Sequence, residues 1–144
     1  MKYRVIINND IEEDVLIYAK SRSAALEQIE DILRRESTEL IGTDDDGSTV
    51  MISPSEILCV SVEDGRAVAI TKDKKLKLRQ RLYQLEELFG DGFLKINQSC
   101  IVRVSAIERF EPSFSGALNV RLKNGFTDYV SRRQMKKVKE RLGF

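Results

Sequence analysis

The segment SRRQMKKVKERL (131–142) sets Arg132, Arg133, Lys136, Lys137, Lys139 and Arg141 around a single apolar stripe of Met135, Val138 and Leu142. If this segment is a helix, its first turn combines free backbone N–H groups, the positive end of the helix dipole and two arginines. Such a turn can hold a phosphate or the edge of a base. The same pattern also fits a surface helix packed by Met135 and Val138, with its lysines serving solubility. A second group with chemical potential is Asn97-Gln98-Ser99, inside the run FLKINQSCIVRV (93–104). Three adjacent hydrogen-bonding side chains interrupt a strand pattern there. Gln98 falls on the parity that Leu94, Ile96, Cys100, Val102 and Val104 reserve for apolar side chains. This predicts that a strand over Phe93–Ile96 ends and turns outward before Cys100, Ile101 and Val102 return to the core.

Other chemistries find little to stand on. The chain has no histidine, which removes the Ser-His-Asp and Cys-His nucleophile systems and most zinc chemistry. Cys59 and Cys100 stand far apart in apolar runs, as expected of reduced core residues in a reducing compartment. Asp44-Asp45-Asp46-Gly47 is read as a hairpin turn. A calcium loop would need Glu at its twelfth position, where Ser55 stands. The remaining carboxylates cluster in turns and on a helix surface, and no nucleophile motif or Gly-rich phosphate loop occurs. The expectation is a non-enzyme with no cofactor, metal or small-molecule substrate.

The 144 residues carry a net charge of +1, which conceals a strong polarity. Residues 1–64 hold 6 Lys/Arg and 15 Asp/Glu, a net −9; residues 65–144 hold 18 and 8, a net +10. Asymmetry of this kind points to nucleic acid or another anionic surface. No apolar run approaches the roughly 20 residues of a membrane span, and the first residues lack a signal-peptide layout, so a cytoplasmic protein is expected.

The elements that must position these residues read as follows. Tyr3–Ile7 and Val15–Tyr18 have strand composition, and Ala25, Ile29, Ile32 and Leu33 mark one face of a helix capped by Ser21 or Ser23. Residues 1–37 are thus expected to form an acidic β-β-α appendage, and 38–144 a second domain that is mainly β with short helices. In that domain, strands around 39–42 and 48–53 flank the Asp44 turn. Strands at 57–62, 67–71 and 76–78 follow. A helix carries Leu78, Leu82, Leu85 and Leu88 or Phe89. Beyond the 93–104 run come strands at 107–110, 118–122 and 128–130, the last two joined by Asn124-Gly125. Ser131 and Gln134 form an S-x-x-Q capping box for the final helix.

In order and spacing this set resembles the LytTR (LytR/AlgR-type) DNA-binding domain. The matching fragments are Glu56-Ile57-Leu58 with Val60 to Arg66, Leu76-Lys77-Leu78 with Leu82 to Glu86, and Phe93 to Val102 with Ile107. Leu122-Lys123-Asn124-Gly125 and Val130-Ser131-Arg132-Arg133 complete them. Together they span about two-thirds of the chain. The leader and the stretch Arg109 to Gly116 resemble the family's short members, which stand alone without a receiver domain.

The resemblance implies an elongated stack of antiparallel β-sheets that places loops in successive major grooves of DNA. By position, the base-contacting residues would be Arg66, Asn97, Gln98 and Arg133. Lys95, Ser99, Ser131, Arg132 and Lys136 would hold phosphates or support the loops. It further implies double-stranded DNA with repeated promoter half-sites as partner, a homodimer at least on DNA, and a small membrane protein as regulator. Two positions depart from the family pattern. Asn97 stands where His is frequent, which bears on site preference. Arg103 replaces an Asn, either altering a turn's hydrogen bonding or adding a phosphate contact. The competing reading is a non-DNA interaction module whose leader binds a protein and whose basic helix touches an anionic surface.

Overall fold

The computed structural model describes residues 2–8, 10, 15–36 and 39–144. The leader contributes one helix, α1 (Ala24–Glu36), started by Ser23, whose Oγ accepts from the Leu26 N–H at 3.2 Å. The two strands expected before it are absent: residues 2–8 and 15–19 make no strand ladder. Tyr3, Ile7 and Tyr18 are 84–91% exposed. Strand composition alone does not hold a strand. Without a paired neighbour or an apolar surface to cover, these segments gain too little to offset their ordering entropy.

From residue 40 the chain is a sheet protein. It runs β1 (Leu40–Thr43), β2 (Thr49–Ile52), β3 (Cys59–Glu63), β4 (Arg66–Ile70) and β5 (Lys75–Leu78), then α2 (Leu82–Phe89). β6 (Phe93–Asn97), β7 (Cys100–Arg103), β8 (Ile107–Pro112), β9 (Leu118–Leu122), β10 (Thr127–Val130) and α3 (Arg132–Leu142) follow. One antiparallel sheet has the order β2-β1-β5-β4-β3-β7-β6, and a second has the order β10-β9-β8. The Asp44 turn behaves as a turn. Its carboxylate accepts from the N–H groups of Asp46 and Ser48 at 3.0 and 2.9 Å, so it is occupied by its own backbone.

The large sheet is buried on both faces, which is why its central strands read as nearly continuous apolar runs. On one face Val60, Ala67, Ala69 and Ile101 pack with Leu82, Leu85 and Phe89 of α2. On the other, Cys59, Val68, Ile70 and Val102 pack with Val120, Leu122 and Val130 of the second sheet and Val138 of α3. The result is three layers with two cores, and β3, β4 and β7 are shared by both.

Arg103 sits at the end of β7, and the structure decides between the two roles open to it. Its Nε donates to the Ile57 carbonyl at 2.8 Å, a second guanidinium nitrogen donates to the Pro54 carbonyl, and the group lies 4.7 Å from the Phe93 ring centre. It therefore clamps the 3-10 turn Pro54–Glu56 onto β6 and β7. Replacing Arg103 by Ala takes the side-chain donor from the Ile57 carbonyl and the second donor from the Pro54 carbonyl, which keeps the Ile57 N–H at 3.1 Å, and removes the ring contact. It should cost about 2–3 kcal/mol in urea unfolding, and Lys should recover less than half, because an ammonium cannot span both carbonyls.

The two thiols are free and buried. Burial, with the nearby Asp128 charge adding to it, pushes Cys59 from 9.0 up to about 12, and burial pushes Cys100 up as well. The unfolded chain therefore loses these protons first as pH rises. Stability should be level below about pH 9 and then fall through the folded values, by up to about 1.4 kcal/mol per pH unit for each thiol. Urea unfolding at about pH 8 and pH 10 checks this: the decline should be shallower in Cys59→Ala/Cys100→Ala than in the wild type. A thiol reagent should label the native chain only as fast as it opens.

Candidate nucleic-acid interface

Three loops converge at one end of the large sheet. The first joins β3 to β4 through Asp64-Gly65, with φ of 50° and 77°, and pairs Glu63 with Arg66 across the hairpin. Positive φ at both central residues matches the strand twist and fits Asp-Gly. Arg66 is thereby the first residue of β4, exposed at the end of the sheet.

The second loop is the turn Gln98-Ser99 between β6 and β7. Lys95 faces Ile101 and Asn97 faces Cys100, so Ile96 is an extra residue in β6, a β-bulge. This explains the broken parity. The extra residue resets the alternation after Ile96, sends Asn97 to the inward side and releases Gln98 to the exposed turn. Asn97 is 1% exposed. Its Nδ2 donates to the Tyr129 carbonyl at 2.9 Å, and its Oδ1 accepts from the Ser99 N–H at 2.8 Å. The expectation that Asn97 contacts a base is therefore corrected. A buried amide with both ends engaged is a strut for the loop, and Gln98 is the outward-facing amide.

The third loop is the entry to α3. Ser131 Oγ accepts from the Gln134 N–H at 3.3 Å and caps the helix. Its own N–H donates to the Ile96 carbonyl at 2.8 Å instead of completing a capping box with Gln134. The Ser131 hydroxyl is thus engaged as a cap. Arg132, Arg133 and Lys136 lie exposed in the first turns of α3.

Hydrogen bonds fix the order of the loops. The Val62 N–H donates to the Ser99 carbonyl at 2.8 Å, joining the first loop to the second, and the Ser131 and Asn97 bonds join the second to the third. Arg66, Lys95, Gln98, Ser99, Arg132, Arg133 and Lys136 thus lie along one connected end. Lys95 and Gln98 share a hollow with Gly65, Arg81 and Tyr83. Arg81 does not stand out in the sequence, because its fragment looks like an approach to a helix.

Charge separates this end from the rest. Some basic groups outside the loops are paired: Lys75 with Glu63 at the base of the first hairpin, and Arg109 and Arg121 with Glu108 and Glu111 on the second sheet. Among the described residues, none of Arg66, Arg132, Arg133 and Lys136 has an ion-pair partner. Unpaired guanidiniums at a helix N-terminus and a hairpin tip suit a polyanion.

Comparison with known proteins places the chain among proteins of one family. The LytTr DNA-binding domain family matches residues 47–143. An HTH-type transcriptional regulator of Staphylococcus aureus (strain bovine RF122 / ET3-1) is 32% identical over 145 residues, covering 99% of this chain and 98% of that protein. One from strain MSSA476 is 36% identical over 92 residues, 64% of this chain and 63% of that protein. A solved LytTr DNA-binding domain from Bacillus cereus superposes with a TM-score of 0.67 at 20% identity, covering 75% of this chain and 99% of that one. Those relatives' names class them as helix-turn-helix proteins. In the present chain a series of strands separates each α-helix from the next, so among the described residues no such motif occurs. Residue pattern, sheet order and loop placement converge on one conclusion: the chain belongs to the LytTr DNA-binding domain family.

Proposed function

We propose that this protein is a sequence-specific transcription regulator that enters successive major grooves of duplex DNA with three loops carried at one end of a rigid sheet. The observation that supports it most is the chain of backbone and Asn97 hydrogen bonds linking the three loops. Loops so joined can present Arg66, Gln98 and Arg133 as a unit. A guanidinium pairs bidentately with guanine, and an amide with adenine. Lys95, Ser99, Arg132 and Lys136 act as phosphate contacts that set orientation, and Ser131 supports them through its cap.

On this reading residues 38–144 form the reading domain and 1–37 an appendage for contacts with other proteins. The protein works in the cytoplasm as a homodimer on repeated half-sites, and a small membrane protein regulates it, as the short members of the family suggest. Among the described residues no helix is long and apolar enough to cross a membrane.

Fluorescence anisotropy with the duplex upstream of the protein's own gene tests the reading. Gln98→Ala and Arg133→Ala should each weaken specific binding by roughly 10- to 100-fold, the worth of a bidentate base contact, with thermal unfolding unchanged. Asn97→Ala should weaken binding and also lower stability by about 1–3 kcal/mol, because it leaves a buried carbonyl and a turn N–H unpaired. Wild-type affinity in both Gln98→Ala and Arg133→Ala would remove the loop assignment. Sedimentation with anionic vesicles in place of DNA would favour the interaction-module reading.

A further inference from the structure

Arg79 and Arg81 belong to none of the three loops, yet they stand beside the first. They lie in the link between β5 and α2. One surface hollow of ≈ 310 Å³ is lined by Gly65, Arg66, Arg79, Gln80 and Arg81, among others. A neighbouring hollow of ≈ 270 Å³ is lined by Gly65, Arg81, Tyr83, Lys95 and Gln98, among others. The two meet at Gly65, Ala67 and Arg81.

Their charge is one-sided. Together their walls hold Arg66, Arg79, Arg81 and Lys95 and no carboxylate. Two larger hollows on the molecule mix signs: one sets Asp31 and Asp91 beside Arg103, and the other sets Glu86, Glu87 and Glu140 among Lys95, Lys137 and Arg141. Among the described residues no carboxylate pairs with Arg66, Arg79 or Arg81. Gln80 Oε1 is buried in the same place without a hydrogen-bond partner. Four like charges lining adjoining hollows repel, and an anion lying between them relieves that repulsion.

The cation-rich, carboxylate-free walls suit a phosphodiester. Guanidinium forks match phosphate oxygens bidentately, and the exposed Tyr83 hydroxyl adds a neutral donor. The hollows lie beside Arg66 and Gln98, so a strand whose bases meet those two residues would carry its backbone past Arg81. We propose that Arg79 and Arg81, with Tyr83, form a clamp for a DNA backbone phosphate, and that this clamp sets the depth of the first two loops in the groove without reading sequence. The clamp rests on the DNA-binding reading above.

Binding of the wild type, Arg79→Ala, Arg81→Ala, the double variant and Gln98→Ala is measured on the promoter duplex and on a scrambled duplex between about 50 and 200 mM salt. Arg81→Ala should weaken both duplexes by the same factor and reduce the slope of log K against log salt by about 0.9 for each phosphate that is no longer neutralised. The preference for the promoter should stay intact. Arg81→Lys should recover part of the affinity, since a phosphate accepts a point charge. Gln98→Ala should do the reverse, losing preference while keeping the salt slope. A double variant with wild-type affinity and slope overturns the clamp while leaving the DNA-binding reading standing. A collapse of promoter preference in Arg81→Ala also overturns it, because the arginine would then read a base. A wild type that binds neither duplex removes both readings together.

Discussion

The extra residue in β6 is the constraint on which the loop end of the large sheet depends. A strand keeps its alternation as long as its ladder is regular, and a single inserted residue reverses it. Here the insertion falls at Ile96, one position before Asn97. Asn97 turns inward, where it would be costly unless satisfied, and its amide bonds both the Tyr129 carbonyl and the Ser99 N–H. A buried amide bonded at both ends holds geometry tightly, because each alternative position leaves a polar group unpaired in an apolar setting. The same residue thus shapes its own turn and ties that turn to the strand leading into α3.

Everything that carries the loops is rigid for a related reason. β3, β4 and β7 contribute to two cores at once, one under α2 and one under the second sheet and α3. Movement of either hairpin tip would disturb packing on both sides. Arg103 adds a polar tie between the Pro54 turn and the far strands, at a place where apolar packing alone could not satisfy the Ile57 carbonyl. The arginines at the tips need no such ties. Among the described residues they stay unpaired on a fixed support, so little backbone ordering would remain to be done on binding a polyanion, as the proposed function requires.

The charge map follows the same division. On the second sheet Arg109 and Arg121 are matched by Glu108 and Glu111, and solvated pairs of that kind add little to stability. What they do is cancel local field on that sheet, while Arg66, Arg132, Arg133 and Lys136 carry no such partner among the described residues. The polarity between chain halves, −9 against +10, is the sequence's shadow of this arrangement.

The sequence by itself determined the elements, because the causes are local: Asp-Gly and Asn-Gly turns, apolar spacing in α2 and α3, and doubly apolar runs for strands buried on both faces. It also determined that Asn97-Gln98-Ser99 marks a break and that the basic residues gather late in the chain. Tertiary structure decided the rest. The strand composition of Tyr3–Ile7 and Val15–Tyr18 met no partner and formed no ladder, since a strand exists only through its neighbours. Which of two adjacent amides faces outward depended on a bulge whose register is defined across β6 and β7, not along β6. The Ser131 N–H, expected in a capping box, was taken by the Ile96 carbonyl. Arg81 came to lie beside Gln98 because β5 and α2 pack near the first loop. Spacing along the chain fixes which face a residue can occupy, while contacts between distant segments fix what that face meets.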